Sequence, residues 1–488
     1  MSATVALVAA AALAGCGSTS YFAGRKLPPS GLLNRVVIAV QNPSVFTKGS
    51  LEIVDAYYDI RSGYTGQPAG FSLNGFGGAL PISIQSMPEE QMAAVYAAGD
   101  GSMTLANYGT EKTTGTVSNL NGLSSSIYIT RNETYVFAAS QSSRVLTVIN
   151  QTNGSSYPLS LPGVYRVSVN PGGSMAIAFV QNSNYAYYPR QLTAAQTQNY
   201  SGGPSTWPKA AVDCEPQNAP GWCLFQAQSP DYLDTTGNYY GSPLVFDRPV
   251  KAVFSPDGGT AYVLNCGPEC GGSKASVSLL PVSPFIFTLG QQSGLAPCNS
   301  APCVNSHTNA MTTIAIPGGA SNALVTTSTM YIVGQRLMPD GLFGGYLSVL
   351  NLTNNTLSSG VSPNPVSISD GMPGAVSRMI QADDNTLWIG MTKCDQGERI
   401  NNSLPYGCLT MFNTSTGKVT LLEPFSGDAT GIAAVTGLHK VYVAQGGQVY
   451  IYSTVDGKSY DNQYVTVTGT AYDVAYMDAV TDTNNTVY

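Results

Sequence analysis

Residues 250–265, VKAVFSPDGGTAYVLN, read as strand, tight turn, strand, and degraded copies of this unit recur along most of the chain. Val250, Ala252 and Phe254 alternate, as a pleated strand with one buried face requires. Ser255-Pro256-Asp257-Gly258-Gly259 supplies the turn: Pro presets φ and Gly accepts φ > 0. Tyr262-Val263-Leu264 is a second strand of residues that suit a pleated surface. The same grammar appears at 165–179, with Asn170-Pro171-Gly172-Gly173 as the turn, and at 376–389, with Asp383-Asp384-Asn385 between strands. Weaker copies lie at 125–137, 323–333 and 430–443.

A third strand usually follows, as at 145–150, 347–351, 409–413 and 449–453, and a more variable fourth closes the unit, as at 419–422. Four strands recurring every ~40–45 residues is the period of β-propeller blades. A lone blade cannot bury both faces of its sheet, so stacked neighbours share the core. The reading is all-β: a single propeller of four-stranded blades, eight by count, with seven as the alternative. The stretch 471–479 looks like an innermost strand without a unit, and 35–58 like a unit missing its first strand; pairing the two ends closes the ring and removes open edges. Residues 484–488 resemble the start of one more strand and stand outside that closure. The grammar resembles the bacterial surface propellers built of YVTN-type repeats and, more loosely, the lactonase-like propellers. That resemblance covers most of the chain after about residue 35 and implies a fold rather than an activity, because propellers host unrelated functions.

Residues 1–16, MSATVALVAAAALAGC, are apolar and small, too short to span a bilayer as a stable helix, and fit a secretory signal. Leu13-Ala14-Gly15-Cys16 matches the lipobox of bacterial lipoproteins; by that resemblance Cys16 is lipid-modified and becomes the mature N-terminus. No Lys or Arg precedes the apolar run, which fits a start upstream of Met1. Residues 17–32 read as a polar tether, and Gly17 after the Cys resembles the outer-membrane sorting pattern. The expected address is therefore an exported, lipid-anchored envelope protein, periplasmic or surface-exposed. Composition agrees: charged residues are 10% of the chain, so its polar surface falls to Ser, Thr, Asn, Gln, Gly and 29 Tyr. Net charge is −7 with no Lys/Arg block, which leaves no electrostatic footprint for nucleic acid.

Within the propeller at 33–488, residues 191–248 interrupt the rhythm with little strand pattern. They hold Tyr200, Trp207, Trp222, Tyr239 and Tyr240, candidate ligand contacts that could stack on sugars or fill a partner's pocket; the bland reading is a satellite core over one blade edge. A second excursion runs from Val282 to about Asn309.

Of 9 Cys, removing Cys16 leaves an even set in local pairs: Cys214/Cys223, Cys266/Cys270, Cys298/Cys303 and Cys394/Cys408. In an oxidising compartment these become disulfides that staple loops. The competing reading is zinc held by Cys266, Cys270, Cys298 and Cys303. His307 and His439 are the only two His and neither sits in a ligand pattern, so no metal and no cofactor is expected.

No Gly-x-Ser-x-Gly, His-Glu-x-x-His or P-loop occurs. Asp383-Asp384 reads as turn chemistry, and Asp456 with Asp461 lacks a calcium-loop spacing. No catalytic residue is assigned. The leading functional expectation is a non-catalytic propeller binding an envelope protein or a polysaccharide. The alternative is a hydrolase or lactonase site in the central channel, built from groups contributed one per repeat. A third class, quinone- or metal-dependent oxidation, finds little support in the Cys and His inventory.

Overall fold

The computed structural model describes residues 27–42, 48–60, 71–208, 211–234, 239–282, 297–298, 311–339, 341–369, 376–392, 408–421 and 427–480. Cys16, Cys303, Cys394, His307, the signal segment, most of the tether and residues 484–488 lie outside them. Among the described residues no helix is long and apolar enough to cross a membrane.

The chain is an all-β propeller of eight antiparallel blades. Blade one is composite: Thr470–Tyr476 pairs with Arg35–Gln41, which continues to Ser50–Asp55 and Phe71–Ser72. The two ends of the chain thus share one sheet, as the orphan strand at 471–479 requires. Blade two is Pro81–Met87, Met92–Ala97, Ser102–Asn107 and Lys112–Thr116; blade three begins at Ser126–Ile129 and ends at Ser155–Ser160. Blade four starts with Val164–Val169, Ala176–Val180 and Ala186–Gln191. Blade five runs from Pro249–Phe254 to Thr312–Ala315, and blade six from Asn322–Val325 to Thr356–Leu357 with Val366–Ser369 added. Blade seven runs from Val376–Ala382 to Val419–Leu421, and blade eight from Ala429–Val435 to Ser459–Val465.

The expectation of little strand structure in 191–248 is corrected. Trp222–Gln226 pairs along Ala186–Gln191 and is the fourth strand of blade four, and Ala211–Glu215 adds a fifth. Farther on, Gln228–Asp234, Tyr239–Pro243 and Pro297–Cys298 form a separate three-stranded sheet. Sequence periodicity missed the fourth strand because its inner neighbour, Ala186–Gln191, precedes it by a whole insertion, and its hairpin partner, Ala211–Glu215, lies on the outer side.

The fold divides into two compact units of four consecutive blades. The first holds blades seven, eight, one and two; the second holds blades three to six.

Period-2 geometry explains the packing in the first unit. In Arg35–Gln41, Val36, Ile38 and Val40 face blade eight, where they meet Ala433, Tyr442 and Ile451. Val37 and Ala39 point the other way, onto Ile84, Ala93 and Val95 of blade two. Both faces are buried, so the strand reads as a continuous apolar run rather than an alternating one. In the second unit, Phe137, Leu146 and Val148 of blade three meet Val167 and Ala178 of blade four. Each fully buried side chain of this kind contributes roughly 1.5–3 kcal/mol.

Turn chemistry sets the blade ends. In the organising unit Gly258 has φ +71°, and the Asp257 carboxylate accepts from the Ser255 hydroxyl and the Gly259 N–H (3.0 Å). Because each blade is an antiparallel meander, the first-to-second and third-to-fourth turns lie at one end and the second-to-third turn at the other.

Candidate functional site

In the first unit a buried ion pair joins the leading strands of three blades. Arg378, on the first strand of blade seven, donates from Nη2 to Asp473 Oδ2 of blade one at 2.5 Å. The same oxygen accepts the Ile84 N–H of blade two at 2.8 Å, and Asp473 Oδ1 accepts the Val474 N–H at 2.9 Å. Gly431 of blade eight makes room: a Cβ there would sit 2.6 Å from the Asp473 Cα. Burial pushes the Asp473 carboxyl up, while the guanidinium and the two amides oppose that shift. Arg378 and Asp473 are 5% and 1% exposed, so the pair holds blades together and offers no charge to solvent.

Three further latches lie at the end of these blades where the first-to-second turns are. Between blades seven and eight, Asp383 Oδ2 accepts the Gly437 N–H (2.8 Å) and the His439 N–H (3.1 Å). Its neighbour Asp384 accepts from Thr454 Oγ1 (2.5 Å) and pairs with His439 Nδ1 (2.8 Å). The Thr454 hydroxyl, then His439, hold the Asp384 carboxyl below its usual range, and Asp384 in turn raises His439. Turn chemistry is thus only half of what Asp383-Asp384 does.

Between blades eight and one, Lys440 Nζ binds Asp59 at 2.6 Å and Ala56 O at 3.2 Å, and the Tyr442 hydroxyl donates to the same Asp59. Burial, with Asp59 beside it, pushes the Tyr442 phenol up. At the joint between chain ends, the Arg35 backbone N–H, Nε and Nη2 all reach Asp478, at 2.7, 3.0 and 2.6 Å. Arg35 Nη1 continues to Glu111 Oε1 of blade two at 2.8 Å. Burial acts to lower the Arg35 pKa, and its two carboxylates outweigh that, leaving it raised.

In the second unit the blade junctions are mostly uncharged. Tyr135 Oη donates to Gln191 Oε1 (2.9 Å), and Gln141 Nε2 to Gln181 (2.7 Å), between blades three and four. Ser168 Oγ accepts the Ala252 N–H (3.1 Å) between four and five. Between five and six, buried Lys251 donates to Asn322 (3.0 Å), and Glu269 accepts the Gln335 N–H (2.9 Å). Burial pushes the Glu269 carboxyl up to about 7. A small apolar cavity beside Tyr188, Leu244 and Leu280 carries no charged lining.

Of the candidate ligand aromatics whose side chains are described, Trp222 lies in one cluster and Tyr200 with Trp207 in another. Trp222 is 6% exposed, with its ring edge-on to Tyr135 (5.3 Å) and Phe137 (6.2 Å); it is core of blades three and four. Tyr200 and Trp207 are half-buried against a satellite cluster of Tyr188, Leu192, Cys214, Cys223 and Phe225. Trp207 Nε1 is spent on Gln217 O at 3.0 Å. Tyr239 and Tyr240 lie in a strand of the separate sheet, and their side chains are outside the description.

Cys214–Cys223 and Cys266–Cys270 are disulfides, and Cys408 is disulfide-bonded too. The Cys266–Cys270 bond removes two of the four sulfurs that the zinc reading needed. The Cys298 side chain is not described. Among the described residues no group of three or more His, Cys, Asp or Glu could hold a metal ion. Asp456 pairs with Lys458 at 3.2 Å, and the Asp461 side chain is not described.

No family model matches the chain, and no curated protein matches it. Among solved structures it is similar to the dihydro-haem d1 dehydrogenase NirN in complex with DHE: 10% identity, 91% of this chain and 75% of that one, TM-score 0.49. It is similar to the periplasmic gluconolactonase PpgL of Pseudomonas aeruginosa: 13% identity, 91% and 98% covered, TM-score 0.41. It is also similar to apo AztD from Citrobacter koseri: 10% identity, 91% and 97% covered, TM-score 0.43. Likeness at this level carries no argument about what the chain does.

Proposed function

We propose that this chain is an exported, lipid-anchored protein of a bacterial envelope whose propeller is a non-catalytic scaffold for a protein or polysaccharide partner. The observation that supports it most is the fate of the charged groups on the leading strands of the first unit. Acid–base or electrostatic catalysis needs a titratable group that meets substrate. Arg378 is instead paired with Asp473, whose carboxylate also accepts two backbone N–H groups, and both side chains are buried. The disulfides support an oxidising compartment, and the lipobox ending at Cys16 supports the anchor.

The test is capture with the tagged, purified chain from solubilised native envelope, with sugar-lactone hydrolysis assayed on the same preparation. A single protein or glycan retained in stoichiometric amount is the expected result. Turnover of a lactone by the chain, abolished by a substitution on a leading strand, overturns the scaffold reading in favour of a channel hydrolase.

A further inference from the structure

Among the described residues, the large apolar side chains that the first unit exposes are Leu27, Leu33, Tyr57, Tyr58, Val455 and Val480. All six lie at one end of their blades. Tyr57 and Tyr58 follow the third strand of blade one, and Val455 follows the third strand of blade eight. Val480 follows the strand Thr470–Tyr476, and Leu33 precedes the strand that pairs with it. Leu27 sits beside Ser30, whose N–H and hydroxyl both bind Glu111 of blade two's last turn, at 2.8 and 2.5 Å. The opposite ends, such as the turns at Asp100-Gly101 and Gly446-Gly447, show none.

Chance burial does not sort apolar groups this way, and the exposure is large: 58% and 47% for the tyrosines, 70% for Val455 and 68% for Val480. Of the charges set among them, Lys440 is held on Asp59, while Lys458 and Asp456 form an exposed pair at 3.2 Å. The loop carrying the tyrosines is held in place by Asp55 and Ile60, which exchange backbone hydrogen bonds at 2.9 and 3.3 Å, and by the Lys440 bond to Ala56 O. The two rings meet edge to face at 4.8 Å. An end carrying tyrosines, Leu and Val among polar and charged groups has the chemistry of a membrane–water interface, where amphipathic aromatic rings sit at headgroup level.

We propose that this end of the first unit rests on the phospholipid surface. The proposal builds on the lipid anchor at Cys16. Cys16 stands only 11 residues before Leu27, a span whose flexible-chain reach is about 18 Å and whose limit is about 40 Å. The anchor therefore starts from this end and brings it nearest the bilayer. Two weak signals act together in such docking, the acyl chain and the apolar surface.

The experiment places the full lipidated chain in phosphatidylcholine vesicles carrying a photoactivatable acyl chain and maps the cross-links by mass spectrometry. Labels concentrated at Tyr57, Tyr58, Val455 and Val480, and absent from 99–101 and 446–447, are expected. In Y57S/Y58S, with its melting temperature unchanged, labelling at Val455 and Val480 falls towards background. Labels spread over both ends, or unaltered by the tyrosine substitutions, overturn the proposal. Failure of the anchor is read separately: an intact mass without acyl chains overturns the lipid on Cys16. The face then stands if tyrosine-dependent labelling persists, and falls if no labelling occurs.

Discussion

The two units stack the same kind of blade but lock it differently. In the first unit each junction carries a carboxylate: Asp383 and Asp384 between blades seven and eight, Asp59 between eight and one, Glu111 between one and two. In the second unit the corresponding positions hold Tyr–Gln, Gln–Gln, Ser–backbone and Lys–Asn contacts. Among the described residues its carboxylate latches are not ion pairs: Asp213 accepts the Ser160 N–H between blades three and four (2.5 Å), and Glu269 is pushed towards neutrality. The difference follows the path of the chain. The inner strands of every other blade follow one another in sequence, and insertions interrupt the outer strands of blades four and five, whereas blade one joins Arg35 to Asp478 across 443 residues. A one-residue slip there would turn every side chain to the wrong face. Three hydrogen bonds from Arg35 to one carboxylate penalise that slip, because a buried charge without its partner is strongly destabilising. Ionic latches specify, and neutral ones merely hold.

The sharpest way to break this comparison is Arg378→Met. Leaving Asp473 buried without its cation is expected to cost about 3–5 kcal/mol, and changing both residues to apolar ones should recover much of it. Urea unfolding measures the cost, and hydrogen exchange should localise it to blades seven, eight, one and two. A cost no larger than that of a neutral latch would erase the distinction.

Glu269 gives the next largest effect, with a defined sign. Its carboxyl is raised from 4.5 to about 7 in the fold, so the folded state binds the proton more tightly than the unfolded state. The stability it contributes is complete below about pH 4.5 and is lost as pH rises through about 7. The total is at most about 3 kcal/mol. Unfolding free energies of wild type and Glu269→Gln across that window should converge on a flatter profile in the variant; parallel profiles would sink the idea.

Tyr135→Phe removes one hydroxyl from a junction of the second unit and should cost about 0.5–1.5 kcal/mol, independent of salt. His439→Ala should cost less than about 1 kcal/mol, because the pair with Asp384 is largely exposed and screened. The His439 pKa is raised, so this small contribution is present below the ordinary histidine range and is lost as pH rises through the raised value. Calorimetry at two salt concentrations separates the cases: the His439 effect shrinks with salt and the Tyr135 effect does not.

Much of the architecture was legible in the residues. The turn at Ser255–Gly259, the unit grammar and the orphan strand at 471–479 lead to eight blades and to a composite first blade, and both are present. The local cysteine pairs Cys214/Cys223 and Cys266/Cys270 are bonded as their spacing suggests. The strand at Trp222–Gln226 was not legible as a blade strand, because its partner Ala186–Gln191 lies a whole insertion earlier and its local hairpin with Ala211–Glu215 runs on the outer side. For the same reason Trp222 reads as a free aromatic in a loop although it is core. Asp383 and Asp384 show their turn propensity, but their partners Gly437, His439 and Thr454 lie 54 to 70 residues on.

By itself the sequence determined what is local and periodic: alternation along strands, Gly, Pro and Asp at turns, and the apolar run at 36–40 that needs cover on both faces. Only the tertiary structure decided which charges are consumed, since Arg378, Asp473 and Ile84 come together from three blades. It also decided which apolar groups remain outside, gathering Tyr57, Val455 and Val480 at one end. The physical reason is range. Backbone geometry repeats every two residues and is written in neighbours, whereas desolvation and charge pairing depend on whatever the fold brings within a few ångströms.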